Sequence, residues 1–499
     1  MDIFDVLSTL TIFNCGKNVK GVEVKRFLMS LVLIVLVVSC TPQKEVPKIV
    51  GIWIGDLIVN ENVSLSIGCE VTLENDSLVA TMASIDQGAY GLEINNISTI
   101  GDSVVFSVNA MGVTYQGHFV ADTLIEGHFA QGDRPPLVLN FARAELIPGA
   151  PPKRHQNPTK PYPYQEEKIE FVSTISDFNL AGTLTYPKKG KNFPTVVLIP
   201  GSGPNDRDET IWGHKVFLVL ADYLTRNGIA VLRMDDRGVG ESTGEYGTAS
   251  ISDFADDAVS GINYLRSRED ISMGKLGVIG HSLGADIASL AANRSSEISF
   301  MVLMGGSGIT LAETIHNQTE HIYTQRGASP AAIDLNRRIN QSVFDVAAMN
   351  LDLPAMEAAL VMAFEKLAPE LEQISPEDRQ KAELPAVLKA VDYSGFFADN
   401  ARYDLVYNPL DQLEQVKIPT LLIAGERDTQ VSATLNIPLM KAALYKAGNE
   451  HVDENIFPEL NHLFQTCATG EIEEYNQIGE TIAPVVLQTI SEWIDNSTE

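Results

Sequence analysis

The sequence predicts an α/β domain with a mostly parallel, doubly wound sheet, interrupted by a helical cap and preceded by a small antiparallel β domain. After Gln165, short apolar strands alternate with helical segments, a pattern typical of a parallel sheet with helices on both faces. Between Ser307 and Gln415 the strand signals give way to Ala, Leu, Met, Glu and Gln at helical spacing. From Val50 to Leu146 the pattern has period two, which indicates half-exposed antiparallel strands.

Composition and charge exclude several classes of protein. The chain has 499 residues, 44% of them hydrophobic, which is enough for about three domains of roughly 150 residues. Its 36 Lys and Arg against 65 Asp and Glu give a formal charge of −29, which repels nucleic acids and anionic membrane surfaces. Cys15, Cys40, Cys69 and Cys467 form no CxxC motif. We therefore expect no nucleic-acid partner, no structural zinc and no disulfide scaffold.

Residues 1–39 have the features of a secretory signal. A basic pair at 25–26 precedes an almost wholly apolar run at 27–38, which is shorter than the roughly 20 residues that span a bilayer. Cys40 follows a small residue directly, so the segment resembles a bacterial lipoprotein signal whose cysteine is acylated after cleavage. We expect a protein anchored by lipid to the cell envelope, or a secreted one if Cys40 is not acylated. Residues 1–24 fit no signal, which suggests an over-extended start.

Three further regions follow the signal. Residues 47–147 predict a meander of six to eight antiparallel strands, arranged as a sandwich or barrel. Residues 148–166 hold six prolines, too many for a strand or helix, and predict a stiff linker. The α/β domain then covers residues 167–499, with the helical cap at about 307–415.

Two GxSxG strings compete for the role of a nucleophile elbow, the strained turn between a strand and a helix that exposes a reactive serine. Ser282 follows an apolar strand at 275–279 and precedes a helix of small residues at 285–292. Ser242 lies among turn residues with no helix after it. We therefore predict that Ser282 is the nucleophile and that Ser242 is structural.

A serine nucleophile needs a histidine base and a carboxylate that orients the imidazole. In this architecture the acid and the histidine follow the serine in chain order. Asp428 lies in the turn after an apolar strand, and His462 lies past the next strand, so both are expected at the edge of the sheet that carries the serine. The competing residues are Glu426 and Asp453 for the acid and His451 for the base.

The developing oxyanion needs two backbone N–H donors. One is predicted at Leu283, the residue after the nucleophile. The other is predicted in the Gly- and Pro-rich loop at 200–204, which follows the strand at 195–199. Ser202 is the favoured donor in this loop, with Gly203 as the alternative.

Taken together, these motifs resemble bacterial secreted or lipoprotein α/β-hydrolases of the serine-aminopeptidase-like (S33-like) and dienelactone-hydrolase-like group. The resemblance covers residues 167–499. It is carried by Leu198-Ile199-Pro200-Gly201-Ser202-Gly203-Pro204-Asn205-Asp206-Arg207-Asp208, Asp235-Asp236-Arg237-Gly238-Val239-Gly240-Glu241-Ser242, the Ser282 elbow, Asp428 and His462. It implies an α/β-hydrolase fold, a helical cap and a Ser-His-Asp acyl-enzyme mechanism. Many relatives carry Glu and Gly after the nucleophile, whereas this chain has Leu283-Gly284-Ala285-Asp286, so the acyl and leaving-group preferences stay open.

The resemblance leads us to expect a serine hydrolase that cleaves small carboxylic esters without a metal or organic cofactor. The first alternative is an aminopeptidase with the same triad, in which cap carboxylates hold the substrate ammonium. The candidates for that role are Glu313, Glu320, Glu365, Glu370 and Glu372. The second alternative is a non-catalytic envelope binding protein that uses its β-rich domain for recognition.

Overall fold

A computed structural model describes residues 46–60, 63–74, 76–132, 134–174, 177–349, 351–388 and 394–498. The predicted signal and Cys40 lie outside these residues. The chain divides into an N-terminal unit that ends at Ala150 and a C-terminal unit that begins at Pro151. No helix in the described ranges is both long enough and apolar enough to cross a membrane.

The N-terminal unit is built on one antiparallel sheet, with ten strands in its described residues. Its strands are β1 (Gly51–Asn60), β2 (Val63–Glu74), β3 (Ser77–Ser84), β4 (Ala89–Ile94), β5 (Asn96–Ile100), β6 (Ser103–Val108), β7 (Val113–Ala121), β8 (Leu124–Gln131), β9 (Leu137–Val138) and β10 (Phe141–Ala144). They pair in the order β4-β3-β2-β1-β10-β8-β7-β6-β5, with β9 on β8.

The period-two pattern of this unit corresponds to burial of alternate side chains. In β6, Val104, Phe106 and Val108 are buried, and they belong to a core that also holds Trp53 and Tyr115. The Tyr115 ring stacks on Phe106 with the ring centroids 4.8 Å apart. The strand count exceeds the predicted six to eight because β9 and β10 have two and four residues, too few to show an alternation in the sequence.

The C-terminal unit is built on a sheet with eight described strands. These are β11 (Gln165–Val172), β12 (Asn179–Tyr186), β13 (Phe193–Ile199), β16 (Ala230–Met234), β17 (Met273–His281), β18 (Ile298–Met304), β19 (Thr420–Gly425) and β20 (Val452–Phe457), while β14 (Thr210–Ile211) and β15 (His214–Lys215) form a separate hairpin. The order is β11-β12-β16-β13-β17-β18-β19-β20, and the pairs from β16 to β20 are parallel. The predicted α/β-hydrolase architecture is therefore present, with an antiparallel pair at one edge.

Helices cover both faces of this sheet. On one face lie α2 (Ile251–Ser267), α3 (Leu283–Arg294), α9 (Pro409–Leu413) and α10 (Ala433–Lys446); on the other lie α1 (Val216–Arg226), α11 (Ile472–Tyr475) and α12 (Pro484–Thr498). Each face has its own buried apolar cluster. The central strands are largely apolar because both of their faces are covered.

A group of helices between β18 and β19 forms the cap. Its members are α4 (Leu311–Gln325), α5 (Pro330–Ala348), α6 (Leu353–Gln373), α7 (Pro376–Lys381) and α8 (Asp399–Val406). Four of them begin after a side chain that accepts a hydrogen bond from a first-turn amide, namely Thr310, Ser329, Asp352 and Ser375. Such residues at helix starts satisfy N–H groups that lack a partner inside the helix. The cap has a separate apolar core.

The proline-rich segment lies on the C-terminal unit. Arg154 donates to the carbonyl oxygen of Asn476 over 3.2 Å, and Gln156 donates to that of Ile482 over 2.7 Å. The Tyr164 hydroxyl donates to Asp222 over 2.8 Å. Residues 151–164 are thus an irregular strap along this unit, where the sequence predicts a linker. The prolines exclude regular structure, but composition does not reveal which surface the intervening side chains bind.

Candidate active site

Ser282 lies at a tight turn between β17 and α3. Its φ of 54° and ψ of −123° are rare for a residue with a side chain. A Cβ atom on Gly280 would lie 2.0 Å from the Gly284 carbonyl oxygen, and one on Gly284 would lie 2.2 Å from the Ile199 carbonyl oxygen. Both glycines of this GxSxG string are therefore required by close backbone contact, which is the geometry of a nucleophile elbow.

Ser242, in the other GxSxG string, is buried in a turn. Its hydroxyl accepts a hydrogen bond from the Ala181 amide and donates one to the Asp235 carbonyl oxygen, each over 2.9 Å. The first bond holds the turn against β12, and the second joins it to the residue that follows β16. This environment is that of a structural serine, as the absence of a following helix predicts.

Asp428 and His462 are hydrogen-bonded to each other in a buried position. The distance from His462 Nδ1 to Asp428 Oδ2 is 2.7 Å, and the two side chains are 5% and 0% exposed. Asp428 Oδ1 accepts bonds from the amides of Gln430 and Val431, over 2.9 and 2.8 Å. The carboxylate is thus oriented by the turn after β19 and can hold the imidazole in one tautomer.

Gly305 lies next to this pair. A Cβ atom on Gly305 would lie 3.2 Å from the His462 ring and 3.6 Å from the Asp428 carboxylate. The Ser282 amide bonds to the Met304 carbonyl oxygen over 2.8 Å, so the elbow is attached to the residue before Gly305. Within the described ranges no hydrogen bond joins the Ser282 hydroxyl to His462. Such bonds are often long in free hydrolases and tighten when substrate binds.

The competing acid and base residues lie elsewhere. Glu426 is exposed. Asp453 accepts a hydrogen bond from the Trp493 indole over 2.8 Å. His451 is exposed just before the first residue of β20, whereas His462 follows the last residue of that strand.

The loop at 200–204 lies against the elbow. A Cβ atom on Gly201 would lie 3.1 Å from the Cβ atom of Ser282. In the described part of the chain, the amides of Ser202 and Leu283 have no hydrogen-bond acceptor. Leu283 is the first residue of α3, where the helix dipole favours a developing negative charge. Gly203 has a φ of 94°, a conformation that suits glycine.

Glu209 and His281 form a second buried pair, which the sequence does not reveal. Glu209 Oε1 accepts hydrogen bonds from the Gly201 amide over 2.9 Å and from His281 Nδ1 over 2.8 Å. His281 Nε2 bonds to the main-chain carbonyl oxygen of His462 over 3.0 Å. Burial opposes protonation of His281, but the charge and hydrogen bond of Glu209 raise its pKa overall. The available signals were a carboxylate directly after the motif at 198–208 and a histidine beside the serine.

Two cavities flank the site. A narrow cavity of about 30 Å³ is lined by residues that include Gly201, Asp236, Tyr246 and Leu283, which is room for a single water molecule. Burial raises the pKa of Asp236 to about 7. A polar cavity of about 560 Å³ lies between α4 and the turn that carries Asp428.

The cap glutamates proposed for an aminopeptidase have different environments. Glu320 lines the polar cavity beside Asp428. Glu313 accepts the capping bonds of Thr310 at the start of α4, and Glu370 pairs with Arg338. Glu365 and Glu372 lie on the exposed side of α6. Across the described ranges, no cluster of three or more His, Cys, Asp or Glu residues could hold a metal ion.

A mostly parallel sheet, a serine at a strained turn between strand and helix, and an acid and histidine after later strands define an α/β-hydrolase. A family model described as serine aminopeptidase, S33, matches residues 213–317. The chain is also similar to esterase EstD of Thermotoga maritima, with 30% identity over 284 residues that make up 57% of this chain and 58% of that esterase. The match thus spans less than two thirds of the relative's length. These matches confirm the predicted resemblance to serine-aminopeptidase-like hydrolases. The secreted or lipoprotein character stays a prediction.

Solved structures with similar folds include an esterase from Pyrococcus furiosus, at 18% identity and a TM-score of 0.41, over 70% of this chain and 98% of that one. Dienelactone hydrolase from Anabaena variabilis is another, at 17% identity and a TM-score of 0.36, over 68% of this chain and 100% of that one.

Proposed function

We propose that the protein is a serine hydrolase that cleaves carboxylic esters through an acyl-enzyme intermediate. Ser282 Oγ attacks the ester carbonyl carbon while His462 Nε2 takes the hydroxyl proton. The tetrahedral oxyanion accepts hydrogen bonds from the amides of Leu283 and Ser202. His462 then gives this proton to the leaving alkoxide, which departs as the alcohol. In the second half of the reaction, His462 takes a proton from a water molecule that attacks the acyl carbonyl carbon. It returns this proton to Ser282 Oγ as the acid leaves.

The observation that carries this proposal is the buried hydrogen bond between His462 Nδ1 and Asp428 Oδ2, 2.7 Å long, beside the Ser282 elbow. A carboxylate on Nδ1 leaves Nε2 as the proton acceptor and stabilises the imidazolium that forms. The amides of Ser202 and Leu283, which have no acceptor among the described residues, support the proposal as the two donors that acyl transfer needs.

Esters are the favoured substrates because the similar curated protein is an esterase. The family description names a serine aminopeptidase, and Glu320 in the polar cavity offers one carboxylate for a substrate ammonium. Glu313 and Glu370 are already engaged in helix capping and in an ion pair. These contacts weaken the peptidase alternative.

The test compares short-chain p-nitrophenyl esters with aminoacyl p-nitroanilides, using wild type, Ser282→Ala and Ser242→Ala. We expect higher kcat/KM on the esters and a loss of about 10⁴-fold or more in Ser282→Ala. Ser242→Ala is the matched control, since it removes the serine of the other GxSxG string. It should stay active while losing about 1–3 kcal/mol of stability with its two hydrogen bonds.

Three outcomes would contradict the proposal. Higher efficiency on the anilides would make the protein a peptidase. Loss of activity in Ser242→Ala with activity retained in Ser282→Ala would show that Ser242, not Ser282, is the nucleophile. A wild-type chain that hydrolyses neither substrate and does not react with a fluorophosphonate probe would support the non-catalytic binding protein.

The cellular location is part of the same proposal. We infer that Cys40 is diacylated after removal of residues 1–39 and anchors the enzyme to the bacterial cell envelope. The support is the order of the basic pair, apolar run and cysteine in the sequence. In a bacterial host, Cys40→Ala should move the protein from the membrane fraction to the soluble fraction, and an unchanged distribution would contradict the anchor.

A further inference from the structure

Glu209 and His281 connect three segments that must meet for acyl transfer. Glu209 bonds to Gly201, which precedes the proposed oxyanion donor Ser202. His281 precedes the Ser282 nucleophile and bonds to the main chain of His462. The pair therefore connects the loop at 200–204 (the oxyanion loop), the elbow at Ser282 and the loop after β20 that carries His462 (the histidine loop). Three hydrogen bonds of 2.8 to 3.0 Å make these connections.

The hydrogen bonds determine how many protons the pair holds. His281 Nδ1 faces a carboxylate oxygen and Nε2 faces a carbonyl oxygen, and neither an ionised carboxylate nor a carbonyl donates a hydrogen bond. With Glu209 ionised, both ring nitrogens must carry hydrogen, so His281 is an imidazolium. The pair is then neutral as a whole, which suits side chains that are 2% and 0% exposed.

The surroundings of His281 favour this state. The groups facing it are Glu209 from the loop after β13, the His462 ring at 4.9 Å between centroids, and the Asp428 charge beyond that ring. Both carboxylates raise the pKa of His281 against the opposing effect of burial. Glu209 Oε2 is buried without a hydrogen-bond partner in the described structure, so the carboxylate depends on His281 for its charge compensation.

We propose that Glu209 and His281 are positioning residues for the reaction: the Glu209 charge keeps both N–H groups on His281, and His281 uses them to hold the histidine loop in register with the oxyanion loop. This inference rests on the proposed function. Both side chains are buried, so each acts on the rate by fixing the positions of Ser202, Ser282 and His462.

Glu209→Gln removes the charge of residue 209 and keeps the shape of its side chain. A glutamine Oε1 can still accept from Gly201 and from His281 Nδ1, but without the charge His281 keeps one proton on its ring. It then loses its bond either to residue 209 or to His462. We expect kcat to fall by about tenfold to 100-fold with KM nearly unchanged. The ratio of variant to wild-type activity should rise as the pH falls from 9 to 6, because acid restores the second proton of His281.

Exposed Glu269 provides the matched control, since Glu269→Gln removes the same charge away from the site. It should behave as wild type at every pH. A purely structural role of Glu209 would instead lower stability and leave the pH profile unchanged. Wild-type kcat in Glu209→Gln, or a ratio that does not change with pH, would overturn the proposal.

A second measurement needs no change at residue 209. In ¹⁵N-histidine-labelled Ser282→Ala protein at pH 7.5, both ring nitrogens of His281 should carry hydrogen, with the signal assigned by its loss in His281→Gln. One protonated nitrogen would overturn the proposal even if Glu209→Gln does not fold. An active wild type with a single protonated nitrogen refutes the positioning role alone. A wild type that neither hydrolyses esters nor labels with fluorophosphonate refutes the proposed function, and the positioning role with it.

Discussion

Two buried carboxyl groups near the nucleophile have contrasting surroundings. Asp428 is surrounded by donors from Gln430, Val431 and His462. Asp286, one helical turn beyond Ser282, is buried in α3, and burial alone raises its pKa well above the usual value. Burial thus favours the protonated form of this carboxyl group, and its ionisation opposes folding.

Asp286→Asn should therefore stabilise the protein more as the pH rises. The raised pKa means that the stability contribution of the acid is fully present below its unfolded pKa of about 4 and is lost on raising the pH. Asparagine is neutral at every pH, so the stability of the variant relative to wild type should grow as the pH rises above 5, by up to about 1.4 kcal/mol per pH unit. Chemical denaturation at several pH values measures this slope.

The control for this prediction is Asp177→Asn, which removes an exposed carboxylate of the same size. Its stability relative to wild type should not vary with pH in that range. A slope for Asp286→Asn equal to that of Asp177→Asn would mean that Asp286 is ionised in the folded protein.

The role of an individual residue can be predicted from the sequence when a recognisable strand or helix lies next to it. Ser282 follows a strand and precedes a helix, and Asp428 and His462 follow two later strands, so their shared edge could be predicted from topology. Glu209 and His281 could not, because their roles depend on burial and on one another. Their positions in the chain are 72 residues apart, and no local pattern indicates that two charged side chains meet in the core.

At the scale of elements, α3 packs closely against β13. The Gly284 backbone lies against Ile199, where a Cβ atom would be 2.2 Å from a carbonyl oxygen. The proposed mechanism requires this close packing, because the first amide of the helix, at Leu283, has to face the same point as the Ser202 amide. The small residues that begin α3 could be read from the sequence as a helix able to pack closely.

Gly284→Ala should consequently separate α3 from β13. We expect a loss of at least about 1–3 kcal/mol of stability, as for other overpacked cores, and a fall in kcat because the two oxyanion donors no longer converge. Urea denaturation and ester hydrolysis measure the two effects. Gly247→Ala is the matched control, since a Cβ atom at Gly247 meets no atom within 4 Å. Equal stability of the two variants would contradict the close approach.

Elements were predictable in proportion to their length and pattern. The strand predicted at 195–199 is a buried run within β13, and the apolar strand predicted before Asp428 is the buried β19. The short strands β9 and β10 and the hairpin of β14 and β15 were not predicted. β10 pairs with the distant β1, whereas β9 pairs with the preceding β8 and β14 pairs with β15. Strands of two to four residues carry no periodicity of their own.

The whole molecule consists of two units with separate apolar cores, one within the N-terminal sheet and the others in the C-terminal unit. The proline-rich strap belongs to the second unit by its contacts. Gln156 accepts a hydrogen bond from the Thr481 amide and donates to Ile482. The segment that Gln156 contacts, at 481–482, continues to Ala483, whose amide donates to the Phe464 carbonyl oxygen over 2.8 Å and so holds the loop that carries His462.

Two truncated chains should therefore show that the strap, residues 151–164, is needed for the stability and proposed activity of the C-terminal unit. A chain that starts at Pro151 keeps the contacts of Arg154, Gln156 and Tyr164. Its kcat/KM and the melting temperature of its C-terminal unit should equal those of the full-length protein. A chain that starts at Gln165 keeps every strand of the sheet but frees residues 476–482, which the strap contacts. We expect it to melt at a lower temperature and to hydrolyse esters more slowly, because the loop of His462 loses its support. The two chains differ by fourteen residues that contain no helix or strand, so equal stability and activity would show that the strap is a linker after all.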